Sequence, residues 1–201
     1  MAENQFENLT DSPTEESDLK EEPKPTLIEE IISWVKVVFT AACIAFVLNT
    51  FIIANSNVPT GSMIPTIMAG DRVIGSRLSY RFSAPERGDI AIFIWPDSPE
   101  GEKIYYVKRV IGLPGDTVDI IGSHVYLNGS DTPLDEPYLN EEMEPALEPL
   151  HFEVPEDSYF MMGDNRNYSS DARFWKNHYV HRDKITAKVL FSYFPRFRIL
   201  K

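Results

Sequence analysis

From Val37 to Ala54 the chain runs eighteen residues without a charge, and only Thr40, Asn49 and Thr50 among them are polar. As a helix rising about 1.5 Å per residue, this run spans roughly 27 Å, close to the hydrocarbon thickness of a bilayer. Trp34 and Lys36 stand at its front edge, where an interfacial ring and a snorkelling ammonium belong. A buried core helix is the other structure open to such a run. A cleaved signal peptide fits poorly, because the run is long and the stretch before it is long and acidic. Residues 1–36 hold ten acids against three lysines. Within them, residues 1–26 are rich in Glu, Asp, Ser, Thr and Pro and carry too little apolar surface to repay ordering, so they read as disordered. Their acid content also excludes an Arg-rich transit peptide.

Lys20, Lys24 and Lys36 precede the run and the first base after it is Arg72. Lysines count in orientation and acids hardly do, so the tail is expected inside the cell and the remainder outside. The expected organisation is an acidic cytoplasmic tail over 1–26, a single-pass transmembrane anchor helix over 27–55, and an extracytoplasmic β-rich domain over 56–201. The last is long enough for one domain with a core of its own. Its net charge is part of an overall -12, which argues against a nucleic acid partner. Cys43 is the only cysteine, so an intrachain disulfide and a four-thiolate metal site are both excluded.

The domain reads as mainly β. Short apolar or alternating runs occupy Ile90–Ile94, Ile104–Ile111, Thr117–Ile121, His124–Leu127, Ser158–Met162 and Ile185–Phe194, with turn signals at Leu113-Pro114-Gly115-Asp116, Gly122-Ser123 and Asn128-Gly129. Residues 131–157 hold ten acids and no Lys or Arg. They read as a solvated excursion between strands, with a docking surface for basic partners as the sharper alternative.

Three stretches can carry chemistry. In Val58-Pro59-Thr60-Gly61-Ser62-Met63-Ile64-Pro65-Thr66 two prolines and a glycine fix a non-helical path and bar any long regular ladder. In an extended chain Thr60 and Ser62 project to one side, where two donors can meet one oxyanion; a plain Pro-rich turn is the alternative. In Tyr105–Asp116, Lys108 sits inside an apolar strand. If that face is buried, desolvation lowers its pKa from about 10.4 toward about 7, a cost of roughly 4 kcal/mol, and leaves a usable general base. An exposed strand lysine is the alternative. Met162–Arg173 packs acids, bases, amides and hydroxyls at a strand end, fit either to hold a nearby base or merely to cap itself. No Gly-rich phosphate loop, His-Glu-x-x-His helix or Gly-x-Ser-x-Gly elbow is present.

Together these segments resemble the bacterial type I signal peptidases, membrane-bound serine proteases that remove signal peptides from exported proteins. The resemblance covers roughly residues 30–195 and rests on five boxes in order after a membrane span: Ser62–Thr66, Gly70-Asp71, Arg87–Asp89, Lys108–Asp116 and Gly163–Arg173. It implies antiparallel β-sheets around a catalytic core, with the acidic segment 122–157 in the place of a variable insertion. By the same resemblance Ser62 is the nucleophile and Lys108 the general base. The Ser62 N–H and the Thr60 hydroxyl form the oxyanion hole, Ser169 orients the lysine amine, and Asp171 with Arg173 braces the site. Asn167 and Tyr168 stand where the family box commonly has Asp-Asn, and Ala172 where it has Ser.

The implied reaction is hydrolysis after an Ala-x-Ala-like site of exported preproteins, without metal or organic cofactor. Val58, Ile67, Tyr106 and Val107 are the expected lining of shallow substrate pockets. Signal peptides and the lipid bilayer are the expected partners, close to the export machinery, at a bacterial plasma membrane. Two other classes remain in view. Self-cleaving SOS-response repressor proteases share the serine–lysine logic but are soluble, which the Val37–Ala54 run opposes. An inactive anchored binding domain is opposed by the retention of Ser62, Lys108, Ser169 and Asp171.

Overall fold

The computed structural model describes residues 26–200, so the expected disorder of the tail falls almost entirely outside the described residues. Helix α1 spans Leu27–Val47. Thr26 and Glu29 start it as a capping box: Glu29 N–H donates to Thr26 Oγ1 at 3.4 Å, and Thr26 N–H donates to a Glu29 carboxylate oxygen at 2.7 Å. The helical path continues through one π-type turn at Leu48–Ile52, and Leu27–Ile52 is long and apolar enough to cross a membrane, with none of its residues buried. The helix stops at Ile52, short of the expected 27–55. Ile53 begins a strand there, because Ala54 and Val58 gain a buried face and a paired partner that continued helix would deny them.

The remaining chain is antiparallel β. Strands β1 (Ile53–Val58), β2 (Asp71–Ser76), β3 (Ile90–Ile94), β4 (Tyr105–Gly112), β5 (Thr117–Ile121), β6 (His124–Leu127), β7 (Leu150–Glu153), β8 (Ser158–Met162), β9 (Tyr179–His181), β10 (Ile185–Phe194) and β11 (Arg198–Ile199) follow in order, with one short helix, α2 (Ser79–Phe82). The large sheet runs β1-β2-β10-β3-β4-β8-β9, with β11 on β10; a small sheet runs β6-β5-β7. Five of the strands expected from the sequence have the expected ends, and β4 is displaced by one residue.

Two apolar clusters fill the domain. Phe93, Val110, Phe160, Met161 and Val118 belong to one, and Val58, Met63, Ile67, Val73, Ile92 and Val107 to the other. Tyr106 and Val107, neighbours on β4, therefore serve opposite cores, as the pleat requires: Val107 faces one and Tyr106 packs against the other. Truncating a fully buried ring such as Phe160 to Ala costs about 3–5 kcal/mol by the usual cavity penalty.

The acidic excursion is less detached than expected. It supplies β7, and the Glu136 side chain is buried in an ion pair with Arg166 of the Gly163–Arg173 loop. Asn167 of the same loop donates to a Glu141 carboxylate oxygen at 3.0 Å and to the Glu142 carbonyl at 3.1 Å, and accepts from Glu144 N–H at 2.8 Å. An aspartate at 167 could accept but not donate, and it would face Glu141 with like charge. Asparagine is therefore the residue that fits this chain's excursion.

Candidate active site

Lys108 lies in β4, hydrogen-bonded between β3 and β8, and is 3% exposed. Burial drives its pKa down to about 8; the Arg173 guanidinium pushes the same way, and the carboxylates of Asp171 and Asp164 oppose. Its ammonium nitrogen donates to Ser169 Oγ at 2.9 Å. A cavity of about 290 Å³ opens over this strand. Val58, Pro59, Thr60 and Ser62 line one side, Tyr105–Lys108 line another, and Tyr168 and Ser170 complete it. Ser62 and Lys108, forty-six positions apart in the chain, thus face the same space. The Ser62 and Thr60 hydroxyls stand 3.4 Å apart.

The Gly163–Arg173 loop fastens the Ser62 turn to the sheet. Asn165 N–H donates to the Ser62 carbonyl at 3.0 Å, and its amide donates to the Gly61 carbonyl at 3.0 Å. Gly163 has no alternative at its position: a Cβ there would sit 2.2 Å from Ser169 Oγ and 2.4 Å from the Ser62 carbonyl oxygen. Asp171 is fully buried, accepts from Gly163 N–H at 3.0 Å and from Arg173 Nε at 2.8 Å, and so ties the two ends of the loop together. Asp164 accepts from Thr66 Oγ1 at 2.5 Å and takes both arms of Arg109, at 2.8 and 2.6 Å.

Residues 31–194 match the family described as signal peptidase, peptidase S26. The chain belongs to this family. Among curated relatives, a probable signal peptidase I-2 of Synechocystis sp. is 37% identical over 162 residues, covering 80% of this chain and 72% of the relative. A signal peptidase I of Leptolyngbya laminosa is 34% identical, covering 86% and 84%. A signal peptidase IB of Staphylococcus aureus is 31% identical, covering 83% and 91%. Membership makes the chain a serine endopeptidase of the signal peptidase I type.

Most of the expected site residues of this signal peptidase come together. Val58, Thr60, Ser62, Tyr106, Val107 and Lys108 line the one cavity, Ser169 contacts Lys108, and Asp171 pairs with Arg173 directly behind. Ile67 does not line the cavity. Its N–H closes a turn onto the Met63 carbonyl at 2.8 Å, which carries the side chain into the second core at 0% exposure. Sequence reasoning missed Asn165, Asp164 and the glutamate partner of Arg166. It also missed the two tyrosines at the mouth of the cavity, Tyr105 and Tyr168. Asp164 and Asn165 stood inside a quoted motif, but their partners lie 98 and 104 positions away, so nothing local marked their function.

Proposed function

We propose that the chain is a single-pass membrane signal peptidase that cleaves exported preproteins after an Ala-x-Ala-like site through a Ser62–Lys108 dyad. The observation that carries this reading is a buried lysine, its pKa lowered to about 8, held by Ser169 in the cavity that Ser62 also lines. An amine near that value is neutral often enough at pH 7 to 8 to act as a base.

Neutral Lys108 removes the proton of Ser62 as the oxygen attacks the scissile carbonyl carbon. The carbonyl oxygen becomes an anion, stabilised by the Ser62 N–H and the Thr60 hydroxyl. Collapse breaks the C–N bond, and the Lys108 ammonium gives its proton to the leaving amine. Lys108 then takes a proton from water, the hydroxide attacks the ester on Ser62, and the proton returns to the Ser62 oxygen as the acyl group departs. Ser169 is a positioning residue for the amine, and Asp171–Arg173 braces the loop that carries it.

The substrate lies extended between β1 and β4, so alternate side chains point into the cavity. Val58, Tyr106 and Val107 bound the shallow pockets, and their bulk favours small side chains such as Ala. Ile67 supports this floor from the core. The Leu27–Ile52 helix anchors the enzyme in the bilayer beside emerging preproteins, with the N-terminal side cytoplasmic because Lys20, Lys24 and Lys36 lie there. The domain from about residue 56 onward is the extracytoplasmic peptidase.

The test is cleavage of a full-length preprotein by detergent-solubilised protein, with Ser62→Ala and Lys108→Met beside it. Cleavage after the small-residue site by the wild type alone is the expected result. Full activity in either variant would sink the dyad.

A further inference from the structure

We propose that Tyr168 is a specificity-determining residue for the leaving-group side of the cleavage site, selecting an aromatic or large apolar side chain just after the scissile bond. This rests on the serine–lysine reading above and goes beyond it.

This ring differs from Tyr106 and Tyr138 near the site, while Tyr105, on β4 at 49% exposure, lines the same cavity from the β4 side. Tyr106 lines the same cavity but stacks on Trp95, with centroids 5.4 Å apart, and meets Phe93 and Trp175 edge-on. Tyr138 is spent on Arg109, whose guanidinium carbon lies 3.9 Å from its centroid. Tyr168 lines the cavity at 78% exposure, and among the described residues neither its ring nor its hydroxyl has a partner. A large ring held in water at the mouth of a substrate cavity has apolar surface free to be covered by what enters.

Its backbone is nevertheless fixed. Tyr168 N–H donates to the Asn165 carbonyl at 3.1 Å. On one side Asn167 is tied to Glu141, Glu142 and Glu144, and on the other Ser169 is held by Lys108. Successive residues of this short segment therefore point to different tasks, and Tyr168 is presented to the cavity by neighbours that cannot move without breaking those bonds. Such preorganisation spares ordering entropy when the ring is covered.

The chemistry says which part of the substrate reaches it. Lys108 must come within hydrogen-bond distance of the leaving nitrogen to protonate it. The segment after the scissile bond therefore starts beside Lys108 and Ser169. Tyr168 is the chain neighbour of Ser169, whereas Val58 belongs to the wall on the Ser62 side. Tyr168 thus meets the first residues of the released product, not the small residues before the bond.

The experiment uses the full chain in detergent and preproteins identical up to the scissile bond, with Phe, Leu or Ala at the first two positions after it. Wild type is expected to favour Phe over Ala by about 5-fold in kcat/KM, the size of an aromatic pair contact. Tyr168→Phe keeps this ratio and Tyr168→Asn brings it close to one. A merely structural role would change rates for all substrates together and leave the ratio alone. A wild-type ratio near one, or a ratio unchanged in Tyr168→Asn, overturns the assignment while the serine–lysine reading stands. Activity that survives Ser62→Ala overturns both.

Discussion

Lys108 and Arg109 are adjacent on β4, equally buried, and treated in opposite ways. Neighbouring strand residues face opposite sides of a sheet, so they enter different surroundings. Arg109 meets both oxygens of Asp164, the Gly88 carbonyl and the face of Tyr138. Lys108 meets one hydroxyl, and among the described residues no carboxylate comes within ion-pair distance of it. A guanidinium keeps its charge in any protein, and the bidentate carboxylate compensates for its burial. An amine answers burial by losing affinity for its proton. One strand thus holds a base fixed as structure and, next to it, a base left free to exchange a proton.

Removing the free base should give the largest effect. Lys108→Met is expected to lower preprotein cleavage by about 10³-fold or more, since both acid and base steps lose their group. The same variant probes stability with a definite sign. The folded pKa of about 8 lies below the ordinary value of 10.5, so between those limits the unfolded chain holds more protons at this residue and wild-type stability gains as pH rises. The wild-type melting temperature should therefore climb relative to Lys108→Met across that window and run parallel below it. The same value places the rise of wild-type kcat/KM at about pH 8. A rise centred two units lower would contradict a lysine base.

Breaking the fixed base should cost stability first. Asp164→Ala leaves Arg109 charged, buried and without its carboxylate, a loss of about 3–5 kcal/mol in denaturant unfolding. Asp164→Asn keeps part of the acceptor geometry and should lose less. If both lose under about 1 kcal/mol, the remaining contacts of Arg109 suffice and the contrast with Lys108 fails. Ser169→Ala sharpens the other half. With the amine no longer held, kcat should fall about 10-fold while KM stays near its wild-type value, because one hydrogen bond is lost at a positioning step. A change confined to KM would remove Ser169 from that step.

How much of this contrast the residues announce depends on distance along the chain. β3, β5, β6, β8 and β10 were legible because Val, Ile, Phe and Tyr alternate or cluster between turn residues. β1, with sequence Ile-Ala-Asn-Ser-Asn-Val, and β2, with Asp-Arg-Val-Ile-Gly-Ser, carry poor strand formers; they form because each pairs the other through six positions and β2 also pairs β10. For the site, physical reading alone left Lys108 open between an exposed strand lysine and a base. The choice turned on motif order, because burial at 108 comes from β3, β8 and the Gly163–Arg173 loop. Ile67 was misread for the same reason, as the turn that directs it inward is invisible in composition.

The smallest predicted effect tests whether the acidic excursion belongs to the fixed side of the comparison. Asn167→Asp keeps the acceptor for Glu144 N–H but deletes the donors to Glu141 and Glu142, and sets two carboxylates face to face. The groups are exposed, so the loss should be about 1 kcal/mol or less and should shrink in high salt as the repulsion is screened. Amide exchange over residues 139–147 should quicken at low salt and recover at high salt. Unchanged exchange would mean that the buried Arg166–Glu136 pair alone fastens the excursion. The segment around Tyr168 would then owe its rigidity to the Arg166–Glu136 pair, the Asn165 bonds and the Lys108–Ser169 bond, with no share from Asn167.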